Sequence, residues 1–393
     1  MRQFMKRLVF VSLLVAVVFG LAVSAIIAQP EQAAPRKIVV FQEWFVNEPA
    51  QAALVRNVGG VIIKHLDLIN AKAVYLPPQA QAPLEARPEI LRIDDDLVIE
   101  AIDKPAGKPG KPQPPPPAQA LPWGVNRIDS ELAWDSSTGA GVNVAILDTG
   151  IDLDHPDLQA NIQGNVNLIN PRKSGDDDNG HGTHVAGIVG AINNTIGVVG
   201  VAPGIYLYAV KVLDRTGSGW LSDLIEGLDW CVKNGMEVVN MSLGSSGDNQ
   251  SFHDAITAAY NAGTTQVAAA GNDGGPILYP AAYSETIAVS ATDSSDGIPS
   301  WSNSGPEIDL AAPGVSINST YKGGTYTVLS GTSMAAPHVA GTAALVIAYG
   351  VTGPDSVKGA LTSTADNLGY LADQQGAGLV DAEQAVTGTQ TNP

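Results

Sequence analysis

Ser333, His181 and Asp148 are three residue types that together can carry out nucleophilic acyl transfer. A serine hydroxyl is a weak nucleophile near neutral pH. It needs a base within hydrogen-bond reach, and an imidazole base needs a carboxylate to hold its tautomer and orientation. Ser333 stands in Ser330-Gly331-Thr332-Ser333-Met334-Ala335-Ala336-Pro337, His181 in His181-Gly182-Thr183-His184, and Asp148 in Asp148-Thr149-Gly150. The order along the chain is Asp, His, Ser, which differs from the chymotrypsin order and from the α/β-hydrolase order. Ser333 is followed by Met-Ala rather than by x-Gly, which disfavours the esterase elbow. Each residue also has an ordinary reading: a turn aspartate, a helix-capping serine, and two histidines three apart that could ligate a metal. The metal reading lacks further ligands at zinc-protease spacing.

The elements that must position these residues can be read from the pattern. Asp148 follows the apolar run 142–147, a strand, and open α/β sheets gather ligands at strand carboxyl ends. Ser333 opens an apolar helix over 334–348, whose N-terminus offers unpaired N–H groups and positive dipole to a developing oxyanion. Asn272 follows Ala269-Ala270-Gly271 at another strand end, where its amide can donate to that oxyanion. Apolar β-branched runs at 142–147, 206–212, 237–241 and 265–270 alternate with helical patterns at 181–191, 221–233 and 252–261. Such alternation implies a mainly parallel sheet with helices on both faces, a three-layer α/β/α sandwich.

These segments, together with Asn240-Met241-Ser242-Leu243-Gly244 and Ala311-Ala312-Pro313-Gly314, resemble the subtilisin-like serine proteases, from about Gln119 to about Ala385. The resemblance implies that His181 is the general base and His184 a structural histidine. It implies that an extended peptide adds as a strand between Gly217-Ser218-Gly219 and Ser242-Leu243-Gly244, with Leu221 and Leu243 lining the P4 pocket. It also implies a structural Ca²⁺ held by Gln119, Asp157, the Asn194 amide and the backbone carbonyls of Ile192, Ile196 and Val198, an oxygen-only set. A cis Tyr279–Pro280 bond is expected on the same ground. The acidic run 176–178 reads as a solvated loop, with a further metal site as the alternative.

Residues 37–102, with strands at 37–41, 73–76 and 97–102 and a helix at 48–58, resemble the family's small α+β propeptide, an intramolecular chaperone and inhibitor. The first cut is then expected near Ile102, with Ile99 at P4. Residues 103–118 form a proline-rich linker that cannot enter a sheet or helix, and residues 119–388 the peptidase domain. Ahead of them, Arg2, Lys6 and Arg7 precede an apolar run, so 1–28 reads as a signal peptide of a secreted protein. The alternative is a retained anchor through residues 8–28. The chain has 393 residues, 45% hydrophobic, with a net charge of −18. That acidity argues against nucleic acid as a partner and keeps the protein soluble; polypeptide substrates are what the family resemblance implies, and a monomer is expected. The single cysteine, Cys231, excludes an intrachain disulfide and reads as a buried core residue.

Overall fold

The computed structural model describes residues 34–102 and 118–389. The apolar run at 8–28 and most of the proline-rich segment lie outside the described residues.

The N-terminal unit is built from β1 (Arg36–Phe41), α1 (Glu48–Asn57), β2 (Val61–Leu66), β3 (Ala71–Tyr75), α2 (Pro78–Glu85) and β4 (Ile90–Asp95). The strands form one sheet in the order β2-β3-β1-β4, with every pair antiparallel. One face of β1 sends Val39 and Phe41 against Val55 of α1 and Leu84 of α2; the other sends Ile38 and Val40 toward the larger unit. That period-2 division lets a sheet of four short strands be covered on both sides. Asn47 caps α1 through the Ala50 N–H, and Pro49 sits in its first turn, where a missing N–H costs nothing. β5 (Val98–Ala101) leaves this sheet and crosses to the other unit.

The larger unit is wound around a seven-stranded sheet. In chain order the elements used below are β6 (Asn143–Asp148), β7 (Ile162–Asn167), α3 (His181–Gly190), β8 (Tyr206–Lys211), β9 (Ser218–Trp220), α4 (Leu221–Lys233), β10 (Val238–Met241), β11 (Leu243–Gly244), α5 (Gln250–Asn261), β12 (Thr265–Ala269), β13 (Thr286–Thr292), β14 (Leu310–Pro313), β15 (Ile317–Tyr321), β16 (Thr325–Leu329) and α6 (Thr332–Tyr349). The sheet order is β14-β13-β12-β10-β6-β8-β7, parallel throughout. Alternate residues of β6 feed two cores. Val144 and Ile146 pack with α3 and α6; Ala145 and Leu147 pack with α4 and α5. This is the α/β/α sandwich that the alternating pattern implies, and burial on both faces is why its strands read as apolar runs.

The helix boundaries differ from expectation in one place that matters. α6 begins at Thr332, with Gly331 as its N-cap, so Ser333 lies inside the first turn and is not the capping residue. The Tyr279–Pro280 bond is cis. Cys231 is fully buried in the core, which pushes its thiol pKa up.

The two units meet through the ends of helices. Asp96 accepts from the Ser222 N–H and Oγ, both at 2.9 Å, in the first turn of α4. Asp94 accepts from the Ser251 Oγ at 2.6 Å and N–H at 3.2 Å, in the first turn of α5. Both carboxylates therefore satisfy donors that a helix start leaves open, and both face the positive dipole end. Arg36 and Arg92 hold them in place, at 2.8 and 2.7 Å.

Candidate active site

Asp148 is the last residue of β6 and has no exposed surface. Its Oδ1 accepts from the Thr149 N–H at 2.6 Å, which fixes the carboxylate. His181 Nδ1 lies 2.8 Å from Oδ1 and 2.9 Å from Oδ2, so the imidazole donates there. A proton held on Nδ1 leaves Nε2 as the basic nitrogen. His181 opens α3, and it can reach Asp148 only because α3 starts hard against the 148–150 turn. A Cβ at Gly182 would fall 2.2 Å from the Gly150 carbonyl oxygen, so only glycine allows that approach.

Asp177 organises the same turn, and here the structure corrects the reading of 176–178 as a solvated loop. Asp177 is buried. It accepts from the N–H groups of Asn179 and Gly180 (each 2.9 Å), from Thr183 N–H and Oγ1 (3.0 and 2.6 Å), and from Thr149 Oγ1 (2.9 Å). Thr149 Oγ1 in turn accepts from Gly182 N–H at 2.9 Å. One carboxylate thus ties the aspartate turn to the start of the histidine helix. Burial pushes its pKa up, while the donors pull the other way. Asp178 pairs with Lys211, whose ammonium also reaches the Thr149 carbonyl. The metal alternative finds no support: among the described residues no group of three or more His, Cys, Asp or Glu is placed to hold an ion.

His184 is fully buried, and its Nε2 donates to the carbonyls of Ile317 and Thr327 at 3.1 and 3.2 Å. It fastens α3 to the β15–β16 hairpin. Burial lowers its pKa to about 3, and burial likewise lowers that of His338, whose Nδ1 donates to the Met334 carbonyl, to about 4. Both side chains stay neutral in the fold but take a proton near pH 6.5 when unfolded. Stability is therefore expected to fall as pH drops from about 6.5 toward these folded values. Asp381, pushed up to about 6, works in the opposite sense. Denaturant midpoints measured between pH 7 and 4 should show a shallower decline in His184→Gln than in the unmodified protein. An identical slope would remove His184 as a cause.

Ser333 and Asn272 meet on a single carbonyl. The Ile102 carbonyl oxygen accepts from Ser333 Oγ at 2.6 Å and from Asn272 Nδ2 at 2.8 Å. The amide of Asn272 cannot turn around, because its Oδ1 accepts from Thr332 N–H and Oγ1 at 2.9 and 3.0 Å. Gly271 has φ +119° and a Cβ there would lie 2.1 Å from Asn303 Nδ2, so the bend that aims Asn272 needs glycine. Ser333 Oγ also lies 3.2 Å from the Ser242 carbonyl.

The chain ahead of that carbonyl runs as a strand. β5 pairs antiparallel with β9 on one side, Val98 opposite Trp220 and Ile99 opposite Gly219, and with β11 on the other, Ala101 opposite Leu243. Ala101 N–H donates to the Gly217 carbonyl at 2.8 Å and Ile102 N–H to the Ser242 carbonyl at 3.2 Å. Ile99 is completely buried, in the cluster that contains Leu221 and Leu243. Gly217, Ser218, Gly219, Leu221, Ser242, Leu243 and Gly244 are thus all gathered around one extended segment of the same chain. A cleft of about 370 Å³ beside it is lined by Glu100, Ile102, Gly244, Asn272 and Leu278 among others.

The residues named for calcium also come together. Asp157 is buried; Asn194 Nδ2 donates to its Oδ1 at 2.8 Å, and Val198 N–H and Tyr326 O–H donate to its Oδ2 at 2.9 and 2.7 Å. Gln119 Oε1 accepts from Asn194 N–H at 2.7 Å, and Ile192 N–H donates to the Asp157 carbonyl at 2.9 Å. Asn194 Oδ1 accepts from Ile196 N–H at 2.7 Å. The cluster is rich in oxygen and holds one carboxylate.

Comparison with known proteins agrees with this geometry. The profile of the peptidase S8 family, described as the Subtilase family, matches residues 139–379. The chain is 40% identical over 388 residues to an alkaline protease of Alkalihalobacillus alcalophilus, covering 95% of this chain and 96% of that one. It is 48% identical over 271 residues to subtilisin Savinase of Lederbergia lenta (68% and 99%), and 40% identical over 343 residues to subtilisin E of Bacillus subtilis strain 168 (84% of each). With strand-end aspartate, helix-start histidine and first-turn serine set on the expected sheet, the chain belongs to the subtilase family and is a serine-type endopeptidase.

Proposed function

We propose that the chain is made as a secreted precursor that matures itself, and that Asp148, His181 and Ser333 form the catalytic triad. Ser333 Oγ attacks the substrate carbonyl while His181 Nε2 takes its proton. Asp148 holds the imidazolium. Asn272 Nδ2 and the Ser333 N–H stabilise the oxyanion of the tetrahedral intermediate. The proton then passes from His181 to the leaving amine, and water releases the acyl group by the same steps in reverse. The observation that carries this reading is the Ile102 carbonyl held by Ser333 and Asn272 together, at the end of a strand laid between β9 and β11. Residues 37–102 are read as the prosegment: its tail fills the substrate cleft as inhibitor, and its carboxylates cap α4 and α5 as folding aid. The first bond cut is the one after Ile102, with Ile99 at P4. Mass spectrometry of the products released on activation tests this: a prosegment fragment ending at Ile102 is expected, and a first fragment ending elsewhere refutes the assignment.

Asn272→Leu keeps the branched shape and removes the donor, together with the oxygen that Thr332 uses. It should lower kcat by about 10²–10³ with KM little changed, a factor carried over from the corresponding asparagine of subtilisin. A drop confined to KM would mean that Asn272 binds substrate rather than the oxyanion.

The residues at 119, 157 and 192–198 suit a structural Ca²⁺: the side chains of Gln119, Asp157 and Asn194 with three backbone carbonyls would make an oxygen-only donor set containing one carboxylate, once the Asn194 amide, whose Nδ2 faces Asp157, turns its oxygen inward. The ion would neutralise the buried Asp157 carboxylate and tie the 192–198 loop to the start of the domain. Calcium at about 100-fold above Kd should add about 2.7 kcal/mol. Chelator should therefore lower the melting temperature of Ser333→Ala, in which autolysis is blocked, and Asp157→Asn should abolish that response. Melting indifferent to chelator would refute the site.

A further inference from the structure

On the outer face of the substrate strand lies a group of side chains that the triad does not use. Val98 stands directly opposite Trp220 across the β5–β9 pair. Directly opposed residues of an antiparallel pair project to the same side of the sheet. Both are partly exposed, at 46% and 37%. The space over the indole is taken by a cation: the Arg36 guanidinium lies 4.3 Å from the Trp220 ring centroid. Just along α4, Lys64 pairs with Asp223 at 2.9 Å and with Glu226. Asp223 also accepts from the Trp220 N–H at 3.2 Å, so ring and carboxylate are parts of one helix start. The N-terminal unit thus places two basic side chains on one aromatic and two acidic groups of the larger unit.

We propose that, once the prosegment 37–102 and Arg36 ahead of it have left, Trp220 with Asp223 and Glu226 forms an extended subsite that selects substrates with a basic side chain at P5. The inference rests on the assignment of Ile102 to P1, which makes Val98 the P5 residue. An arginine at P5 starts on the same face as the Trp220 ring and lies next to the place that Arg36 vacates. Stacking of guanidinium on indole is favourable even at exposed sites. The two carboxylates, released from Lys64, add attraction that salt screens. An acidic P5 residue meets those carboxylates and is disfavoured. The occupant is a side chain of a polypeptide substrate, which the extended strand delivers to this position in a fixed register.

The test uses quenched fluorescent peptides carrying Leu-X-Ile-Glu-Ala-Ile before the cleaved bond, the sequence of 97–102 with X at P5. Enzyme prepared from the full chain is assayed with X as Arg, Gly, Val or Asp at low and high salt. The expected kcat/KM for Arg is about three- to tenfold that for Gly at low salt, with Asp below Gly and the Arg preference shrinking as salt rises. The readout is the Arg-to-Gly ratio, so a general loss of activity in a variant does not disturb it. The ratio should fall toward one in Trp220→Ala, survive in part in Trp220→Tyr, and become less salt-dependent in Glu226→Gln. A ratio of one in the unmodified enzyme, a preference for Val over Arg, or an Arg preference unchanged in Trp220→Ala would overturn the subsite while the glycine peptide is still cut. Failure to cut any peptide after the P1 isoleucine would overturn the P1 assignment, and the subsite with it.

Discussion

Ser333→Ala should leave the precursor uncut and lower peptide hydrolysis by about 10⁶, the order measured for the corresponding serine of subtilisin itself. The physical reason is local. Ser333 Oγ lies 2.6 Å from the Ile102 carbonyl oxygen, and no other hydroxyl of the described residues bonds to that oxygen. The substitution removes one oxygen atom from the first turn of α6, so the fold should survive. The N–H of residue 333 and the Asn272 amide stay in place. Residual turnover above the water rate should therefore remain. Gel and mass analysis of the variant expressed in a protease-free host checks the first half, and peptide kinetics the second. Release of a fragment ending at Ile102 by the alanine variant alone would show that cleavage is not the chain's own.

Asp148→Asn should keep the geometry and lose about 10⁴ in kcat at neutral pH, a magnitude known from the same change in a serine protease of a different fold. The carboxylate accepts from Nδ1 of His181 at 2.8 and 2.9 Å. An amide in its place can present an N–H to Nδ1. The imidazole proton then moves to Nε2, the nitrogen that has to act as base. The imidazolium also loses its countercharge in a site with no exposed surface at residue 148. The substrate site proposed between β9 and β11 uses other groups, so KM should change little. Unaltered melting with kcat within tenfold of the parent would mean that Asp148 only packs.

The three segments proposed to carry the triad stand out in the sequence because their pattern is local to each: a carboxylate at a strand end, a histidine and a serine at helix starts, all near glycines that permit close approach. The parallel sheet is legible for a related reason, since strands buried on both faces appear as uninterrupted apolar runs. What the sequence hides is whatever long-range contacts decide. Asp177 reads as one of three solvated charges, and only the donors brought to it by Thr149, Gly180 and Thr183 make it the anchor of the active-site turn. In the N-terminal unit, β2 lacks clear alternation because much of it is only partly buried, and α2 contains Pro83, so neither stands out. The roles of Asp94 and Asp96 also emerge only when helix starts from a distant part of the chain are laid against them. Pairing of 98–101 with β9 and β11 is likewise invisible in composition alone and follows from the family resemblance.

The central claim is that Ser333 is the nucleophile made reactive by His181 and Asp148. A fluorophosphonate probe reads that reactivity directly, since it bonds only to a hydroxyl activated in this way. Mature enzyme treated with the probe, digested and mapped by mass spectrometry should carry a single adduct, on Ser333. With the prosegment removed in trans by unmodified enzyme, labelling should be lost in Ser333→Ala and in His181→Ala, and slowed in Asp148→Asn. An adduct on another residue, or labelling of Ser333 that His181→Ala leaves unchanged, would contradict the account.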